Sequence, residues 1–199
     1  SRLSEDPARR VLLVEAGADS PPGGEHPDIR DVFAPIATGN AAFHWPGLRA
    51  RLSAQAGDRG YVQGFGIGGG SNINGMGADR GNPSDYDEWR DLGAKGWGWQ
   101  DVLPYFRKLE RDLDFGGPNA TPIHGDGGPF PIRRLDRPRW APFCTAFGEA
   151  LEDRGLPFLE DYNGDFREGF AAAPTNCVAG GRMSAAMAYL TPQVRARAN

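Results

Sequence analysis

A continuous apolar run near the start of the chain predicts a strand that is buried on both faces. Val11 to Val14 are four apolar residues in a row between Arg10 and Glu15, a pattern typical of parallel sheets. In a dinucleotide-binding unit, an acidic residue directly after such a strand bonds ribose hydroxyls. Glu15 is equally compatible with a solvated side chain at a strand end, so the run alone leaves both interpretations open.

Four later segments carry apolar side chains at helical spacing, and a fifth predicts a short strand. The predicted helices cover 85–92, 99–111, 141–154 and 185–191, and the strand lies near 130–132. Ser84 or Asp85 can cap the first helix, and Ser184 can cap the last. We expect Pro104 in the first turn of the second helix, where its missing N–H is tolerated.

The segment GFGIGGGSNINGMGADRGNP, residues 64–83, is rich in glycine and yet keeps polar side chains. Glycine lets a backbone approach a ligand, and the N–H groups at a helix start attract anions. Ser71 can cap such a helix. A tight structural turn is the alternative interpretation. A Walker phosphate loop is excluded, because no Gly-Lys-Ser/Thr follows the glycines.

The composition and net charge of the chain argue against several classes of function. The 199 residues are 39% hydrophobic with a net charge of −4, and the scattered basic residues argue against nucleic acid as a partner. No apolar run approaches the ~18 residues of a membrane span. Cys144 and Cys177 fit no metal spacing, so we expect no metal site and a reducing, cytoplasmic location. The Asn119 sequon is only three residues long and is best explained by chance.

The glycine segment and the residues after it resemble the first signature of the glucose–methanol–choline (GMC) flavoprotein oxidoreductases. The residues that fit that signature are Gly68, Gly69, Ser71, Asn74, Gly75, Met76, Arg80, Gly81, Pro83, Asp85, Tyr86, Asp87 and Trp89. VLLVEAG, GWGWQDVLPYFRKLE, HGDGGPFPI and MSAAMAYLTP resemble further family segments. The resemblance covers essentially the whole chain. It is greatest to bacterial aryl-alcohol and hydroxymethylfurfural oxidases, with choline dehydrogenases close behind.

The resemblance implies an α/β fold: a partial Rossmann-like FAD-binding domain of GMC type with the start of a substrate domain. Residues 1–135 would form part of the FAD-binding domain. Residues 136–199 would begin the substrate-binding region and return to the FAD domain. The glycine fingerprint should lie roughly 20 residues before Glu15, ahead of residue 1. We therefore expect an N-terminal fragment that lacks the first strand and the C-terminal part.

The resemblance also implies a set of residues that bind FAD. These are Glu15, Gly68, Gly69, Ser71, Asn74, Gly75, Met76 and Gly77. Some family members attach flavin covalently through a histidine; Ile73 stands at that position here, so noncovalent FAD is expected. Two departures are Phe65, in place of a basic residue, and Gly66. Asn74 and the N–H groups of residues 75–77 would stabilise negative charge at the reactive side of the flavin.

The activity implied by the resemblance is oxidation of a small-molecule alcohol. A base takes the hydroxyl proton, hydride passes to flavin N5, and oxygen or another acceptor reoxidises the flavin. The family's base is a histidine in the C-terminal part, and His26, His44 and His124 do not match it, so the catalytic residue stays unknown. A hydroxynitrile lyase of the same fold and a noncatalytic dinucleotide-binding module are the alternatives.

Overall fold

The computed structural model describes residues 1–118, 121–178 and 180–199, and Asn119 and Ala120 of the sequon lie outside these ranges. The α-helices are α1 (Pro27–Arg30), α2 (Ala34–Gly39), α3 (Pro83–Asp91), α4 (Trp99–Leu109), α5 (Pro142–Glu152), α6 (Ala185–Tyr189) and α7 (Pro192–Arg195). The strands are β1 (Arg49–Ala50), β2 (Arg59–Gly60), β3 (Glu110–Asp112), β4 (Phe130–Ile132), β5 (Cys177–Val178) and β6 (Gly181–Arg182). Short 3₁₀ helices cover Leu3–Glu5, Ala41–Phe43, Gly69–Asn72 and Arg137–Arg139. None of the helices described has the length and apolar character that a bilayer crossing needs.

The described chain forms two compact units. The first contains residues 1–76 and 180–199, and the second contains residues 77–178. This division by contacts differs from the predicted domain boundary after residue 135, which stays a prediction.

The first unit has a small apolar core built from its short helices and the end of the glycine segment. Its buried apolar side chains are Ile29, Ala37, Ile73, Met76 and Ala188. The Thr38 hydroxyl at α2 donates to the carbonyl of Ile73, which ties the helix to the glycine segment. Strands β1 and β2 pair antiparallel, with Arg49 opposite Gly60. The helix predicted after Ser184 is confirmed as α6, with the Ser184 hydroxyl as its cap.

The predicted strand at Val11 to Val14 is wrong for this structure. The run has no strand geometry, and Leu12 and Val14 are 87% and 81% exposed. The Val11 N–H donates to the Asn199 carbonyl over 2.7 Å, which is not a strand ladder. A parallel strand is stable only between neighbours that satisfy its backbone and cover both faces. No strand in the described residues pairs with this run, so its side chains stay in solvent.

The second unit confirms the predicted helices at α3 and α4 but corrects their ends. The cap of α3 is Asn82, whose Oδ1 accepts from the Ser84 N–H over 3.1 Å, so neither Ser84 nor Asp85 is the cap. Gly93, with φ of 111°, follows the helix as predicted. Pro104 lies inside α4 and not in its first turn. Its ring has no N–H, so that position contributes no helical hydrogen bond.

The chain leaves α4 two residues earlier than predicted and continues as a strand. Helix α4 ends at Leu109, and β3 pairs parallel with β4, placing Glu110 opposite Phe130. The strand predicted near 130–132 is thereby confirmed. Side chains alternate along an extended segment, so Glu110 and Asp112 are both buried while Arg111 between them is exposed. The alternation of buried acidic side chains with an exposed arginine is therefore typical of a strand and not of a further turn of helix α4.

Helix α5 is confirmed, and its apolar side chains lie largely in solvent. Phe143 and Phe147 are 79% and 58% exposed, and their rings stack on each other at 6.2 Å. Gly148 is buried, and a Cβ at this position would lie 3.2 Å from the Phe170 ring and 3.3 Å from the Trp140 ring. Gly155, with φ of 84°, follows the helix end.

Candidate functional site

The glycine loop, residues 64–76 in the first unit, adopts backbone conformations that L side chains rarely reach. Gly68 and Gly69 have φ of 106° and 53°. The 3₁₀ helix Gly69–Asn72 starts directly after Gly68. Met76 is the non-glycine exception among the described residues, with φ of 61°, and its side chain is buried. A positive φ at methionine is strained, so the surrounding contacts must hold it.

The glycines of the loop fall into two groups. A Cβ on Gly64 would lie 2.3 Å from the carbonyl carbon of Gly69, and one on Gly68 would lie 2.4 Å from Asn72 Oδ1. These two are required by the packing of the loop itself. Three others have nothing within 4 Å of a Cβ position: Gly69, Gly70 and Gly75. Their open faces leave room for another molecule to approach the backbone.

Glu15 lies beside the glycine loop and joins it to the segment that follows the apolar run. Its Oε1 accepts from the N–H of Gly17 over 2.8 Å and from the N–H of Gly66 over 3.3 Å. A Cβ on Gly17 would lie 2.3 Å from the Gly66 nitrogen. Gly66 itself has φ of 127°. The close approach requires glycine at position 17, and the positive φ is a structural reason for glycine at position 66, the departure from the family pattern.

Ser71 does not cap the helix it was predicted to start. It lies inside the 3₁₀ helix, whose cap position is Gly68. Its hydroxyl donates to the Gly68 carbonyl over 2.6 Å and accepts from the Ala185 N–H over 2.9 Å. Ser71 therefore connects the glycine loop to the start of α6.

Arg182 is the main residue of this site that sequence reasoning missed. Its Nη1 donates to the carbonyl and to the Oδ1 of Asn74, both over 2.7 Å, and to the Ser71 carbonyl over 3.3 Å. Its Nε donates to the Ile29 carbonyl over 3.0 Å. The residue is only 3% exposed. In the sequence, Arg182 is a single arginine between a glycine pair and the capping Ser184. That pattern does not indicate contacts with residues more than a hundred positions earlier.

Asn74 and Gly75 form the exposed tip of the glycine loop. Asn74 Oδ1 also accepts from the Met76 N–H over 3.2 Å, which helps to hold the strained residue. The first unit thus brings together seven predicted residues: Glu15, Gly68, Gly69, Ser71, Asn74, Gly75 and Met76. The eighth, Gly77, belongs to the second unit and forms an isolated bridge with Thr175.

The second unit contains a buried ion cluster that the sequence did not reveal. It comprises Arg80, Arg134, His124, Glu110, Asp112 and Asp161. Arg134 Nη1 donates to both oxygens of Asp112 over 2.7 and 2.8 Å, and Arg80 pairs with Glu110. These three positive and three negative groups pair with one another when ionised, which is how buried charges are tolerated, and the more exposed Asp114 also lies 3.6 Å from Arg134 Nη1.

His124 is the centre of the cluster, and its side chain is fully buried. Its Nδ1 lies 3.1 Å from Asp112 Oδ2 and 3.2 Å from Glu110 Oε1, and its Nε2 lies 2.7 Å from Asp161 Oδ2. Both ring nitrogens therefore face carboxylates, which requires a proton on each. Glu110, Asp112 and His124 are close enough to ligate a cation. A doubly protonated imidazole and two competing guanidinium groups make the cluster an ion-pair network instead.

The pKa values follow from these contacts. Burial opposes the charge on His124, but the carboxylates of Asp112, Asp161 and Glu110 outweigh it and raise the pKa to about 10. Burial also opposes ionisation of Asp112, yet His124 and Arg134 hold the pKa of that carboxyl well below its usual range. The pKa of Glu110 is lowered in the same way, against its burial, by His124, the Gly125 N–H and Arg80.

Known proteins match this chain over nearly its whole length. 5-(Hydroxymethyl)furfural oxidase of Methylovorus sp. strain MP688 is 43% identical over 207 residues, covering 100% of this chain and 38% of that protein. Oxygen-dependent choline dehydrogenase of Rhizobium etli is 35% identical, covering 98% of this chain and 34% of that protein. The chain thus spans well under half the length of these relatives.

Solved structures give the same result. Pyridoxine 4-oxidase from Mesorbium loti matches with a TM-score of 0.84 and 37% identity, covering 99% of this chain and 37% of that chain. Formate oxidase from Aspergillus oryzae matches with a TM-score of 0.77 and 26% identity, covering 94% and 33%. The predicted fold, an N-terminal FAD-binding region of GMC type, is confirmed by these matches. The sequence model of the GMC oxidoreductase family matches residues 45–199, more than half of the chain, and the chain belongs to that family.

Proposed function

We propose that the glycine loop binds FAD noncovalently and that the complete protein oxidises a small-molecule alcohol, with oxygen or another acceptor taking the electrons. The observation that carries this proposal is the open backbone at Gly69, Gly70 and Gly75 beside the exposed Asn74, in a chain of the GMC family. Gly70 and Gly75 have neither a positive φ nor an atom close to a Cβ position, so glycine at these positions indicates a ligand that must come close.

Three features of the chain suit FAD. The open glycine faces admit a flat, anionic cofactor to the backbone N–H groups. The exposed Glu15 carboxylate has capacity for about four hydrogen bonds, and two are described. It can therefore accept from ribose hydroxyls as well, whereas a 2′-phosphate would be repelled. Ile73 offers no nucleophile for covalent attachment, which supports the noncovalent form.

Asn74 and the backbone that follows it would stabilise the negative charge that develops on the flavin during the reaction. When bound, FAD supplies the acceptor for the hydride that leaves the alcohol carbon. Asn74 Oδ1 is used by Arg182 and the Met76 N–H, so its Nδ2 group is the donor that the amide presents elsewhere. Donors fixed in advance stabilise negative charge without reorganising during the reaction. Gly75 would add a backbone N–H group, whereas the Met76 N–H is already donated to Asn74 Oδ1.

The rest of the proposal concerns the complete protein. Relatives named above are oxidases and dehydrogenases of hydroxymethylfurfural, choline and pyridoxine, which supports an alcohol as substrate. We also propose that residues 1–135 belong to the FAD-binding domain and that 136–199 begin the substrate-binding region. A cytoplasmic location is supported by the free thiols of Cys144 and Cys177.

The proposal is tested by purifying the protein from its complete reading frame and denaturing it. We expect a yellow protein that releases intact FAD without proteolysis, and whose flavin absorbance bleaches anaerobically when an alcohol is added. Aryl alcohols, hydroxymethylfurfural and choline form the first panel. Recovery of FMN, or of no flavin after reconstitution with FAD, would contradict the proposed function. Flavin that stays with the precipitated protein would contradict noncovalent binding.

A further inference from the structure

Arg182 contacts the glycine loop from a distant part of the chain and lies beneath its exposed tip. The buried guanidinium reaches both oxygens of Asn74, the Ser71 carbonyl and, through Nε, the Ile29 carbonyl near the end of α1. The loop and α1 are thus held by one planar group. Its position 108 residues beyond Asn74 makes this a tertiary contact and not a local turn.

We propose that Arg182 is a positioning residue: it sets the orientation of the Asn74 amide and the backbone of residues 71–76 for the cofactor. This inference rests on the proposed function, because it assumes that Asn74 faces FAD. Arg182 acts through Asn74 and is not assigned a contact with substrate or cofactor.

The geometry gives Arg182 this role in two ways. By donating to Asn74 Oδ1, it fixes which end of the amide is the acceptor, and so turns the Nδ2 donor away from itself. The same Oδ1 accepts from the Met76 N–H. Loss of the arginine would therefore loosen both the amide and the support of the positive φ at Met76.

Lysine cannot replace this contact. A guanidinium is a rigid fork, and its separate nitrogens reach Asn74 and Ile29 at once. An ammonium is a single point on a flexible stem, so it can keep the charge and one acceptor but not span both elements. The neighbouring contact from the Ala185 N–H to the Ser71 hydroxyl would remain in either variant, which favours a folded protein with a less ordered loop tip.

The experiment compares Arg182→Lys and Arg182→Gln with the control Ile29→Val in the complete protein. Ile29 is buried in the same unit, and its shortened side chain lowers stability while the carbonyl that Arg182 binds stays in place. For each variant we would measure the FAD dissociation constant, hydrogen–deuterium exchange of residues 66–76 in flavin-free protein, and the free energy of unfolding.

We expect Arg182→Gln to weaken FAD binding by about tenfold or more, the scale for losing a charged hydrogen-bond donor, and to speed exchange at residues 74–76. The FAD affinity and exchange rates of Arg182→Lys should lie between those of Arg182→Gln and wild type. If Arg182→Gln does not fold, Arg182→Lys alone tests the inference. Ile29→Val should leave affinity within about twofold, well inside a 1.4 kcal/mol tenfold step. The inference would be overturned if Arg182→Lys bound FAD as tightly as wild type. It would also be overturned if the FAD affinity of Arg182→Lys fell only as much as that of an equally destabilised control.

A double-mutant cycle separates positioning from general structure. In an Asn74→Ala background, Arg182→Lys should add little further loss of FAD affinity, since the group it orients is gone. Additive losses would overturn the inference. If wild type binds no FAD, the proposed function fails by itself. The exchange rates then decide the loop-ordering role of Arg182, and unchanged rates in Arg182→Lys would overturn it too.

Discussion

Raising the pH is expected to destabilise the second unit through one residue, His124. Its pKa is raised from 6.5 to about 10 in the folded protein. A raised pKa contributes stability that is fully present below pH 6.5 and is lost as the pH rises through about 10. Asp112 and Glu110 have lowered pKa values, so their contribution is present at neutral pH and is lost only in acid.

The size of the effect follows from one proton. Between the two pKa values the folded state holds a proton on His124 that the unfolded state has released. The free energy of unfolding therefore falls by about 1.4 kcal/mol for each pH unit, or roughly 3 kcal/mol over two units. In His124→Gln this slope should disappear. That variant should also be less stable by about 3–5 kcal/mol at neutral pH, because the buried Glu110 and Asp112 and the partly exposed Asp161 then share two guanidinium groups.

The assay is urea denaturation followed by tryptophan fluorescence at a series of pH values from neutral to alkaline. Four of the five tryptophans, Trp89, Trp97, Trp99 and Trp140, lie in the second unit and Trp45 lies in the first, so the signal reports mainly on the second unit. His26→Gln is the matched control, since the His26 side chain is 52% exposed in the first unit. A wild-type slope that survives in His124→Gln, or a flat wild-type profile, would refute the ionised cluster.

Three further predictions concern the glycines and the chain as a whole. Gly69→Val should abolish FAD retention with much of the fold kept, because φ of 53° costs a residue with a side chain about 1–3 kcal/mol, less than the stability of a typical domain; full flavin content would mean a merely structural turn. Gly17→Ala should cost at least about 1–3 kcal/mol, since its Cβ meets the Gly66 backbone, whereas Gly57→Ala, with open space, should stay within about 0.5 kcal/mol; both glycines lie in the first unit, so urea denaturation is followed here by far-ultraviolet circular dichroism. Residues 1–199 expressed alone should aggregate through exposed apolar side chains and neither retain FAD on gel filtration nor oxidise alcohols; a monodisperse, yellow, active product would contradict this.

The sequence predicted those elements whose stability depends mainly on local pattern. Helices α3, α4, α5 and α6 follow from apolar spacing and from stops such as Gly93 and Gly155. The caps were harder, because several polar residues before a helix compete and only geometry chooses Asn82 over Ser84. The run Val11 to Val14 has the right composition for a strand, but a strand also needs partners, and composition does not supply them.

The site was predictable where a contact is local and not where it is distant. Glycine spacing indicated a loop that approaches a ligand, and Gly69 and Gly75 do have open faces. The Arg182 contact and the buried ion cluster join residues far apart in the sequence. The sequence does not show that a charged residue such as His124 is buried, because histidine also occurs on protein surfaces. Only the fold shows which charges are withdrawn from water.

The contact between Arg182 and Asn74 also sets an order of events during biosynthesis. The glycine loop leaves the ribosome more than a hundred residues before the arginine that supports its tip. Until Arg182 and Ala185 emerge, Asn74 and the Ser71 hydroxyl have only local partners, the Met76 N–H and the Gly68 carbonyl, and lack the distant ones of the finished fold. Contacts of high sequence separation form late, after the intervening chain has been closed into a loop. The nascent protein therefore acquires the shape of its cofactor loop only after residue 185 has been translated, and flavin captured earlier would meet an unformed site.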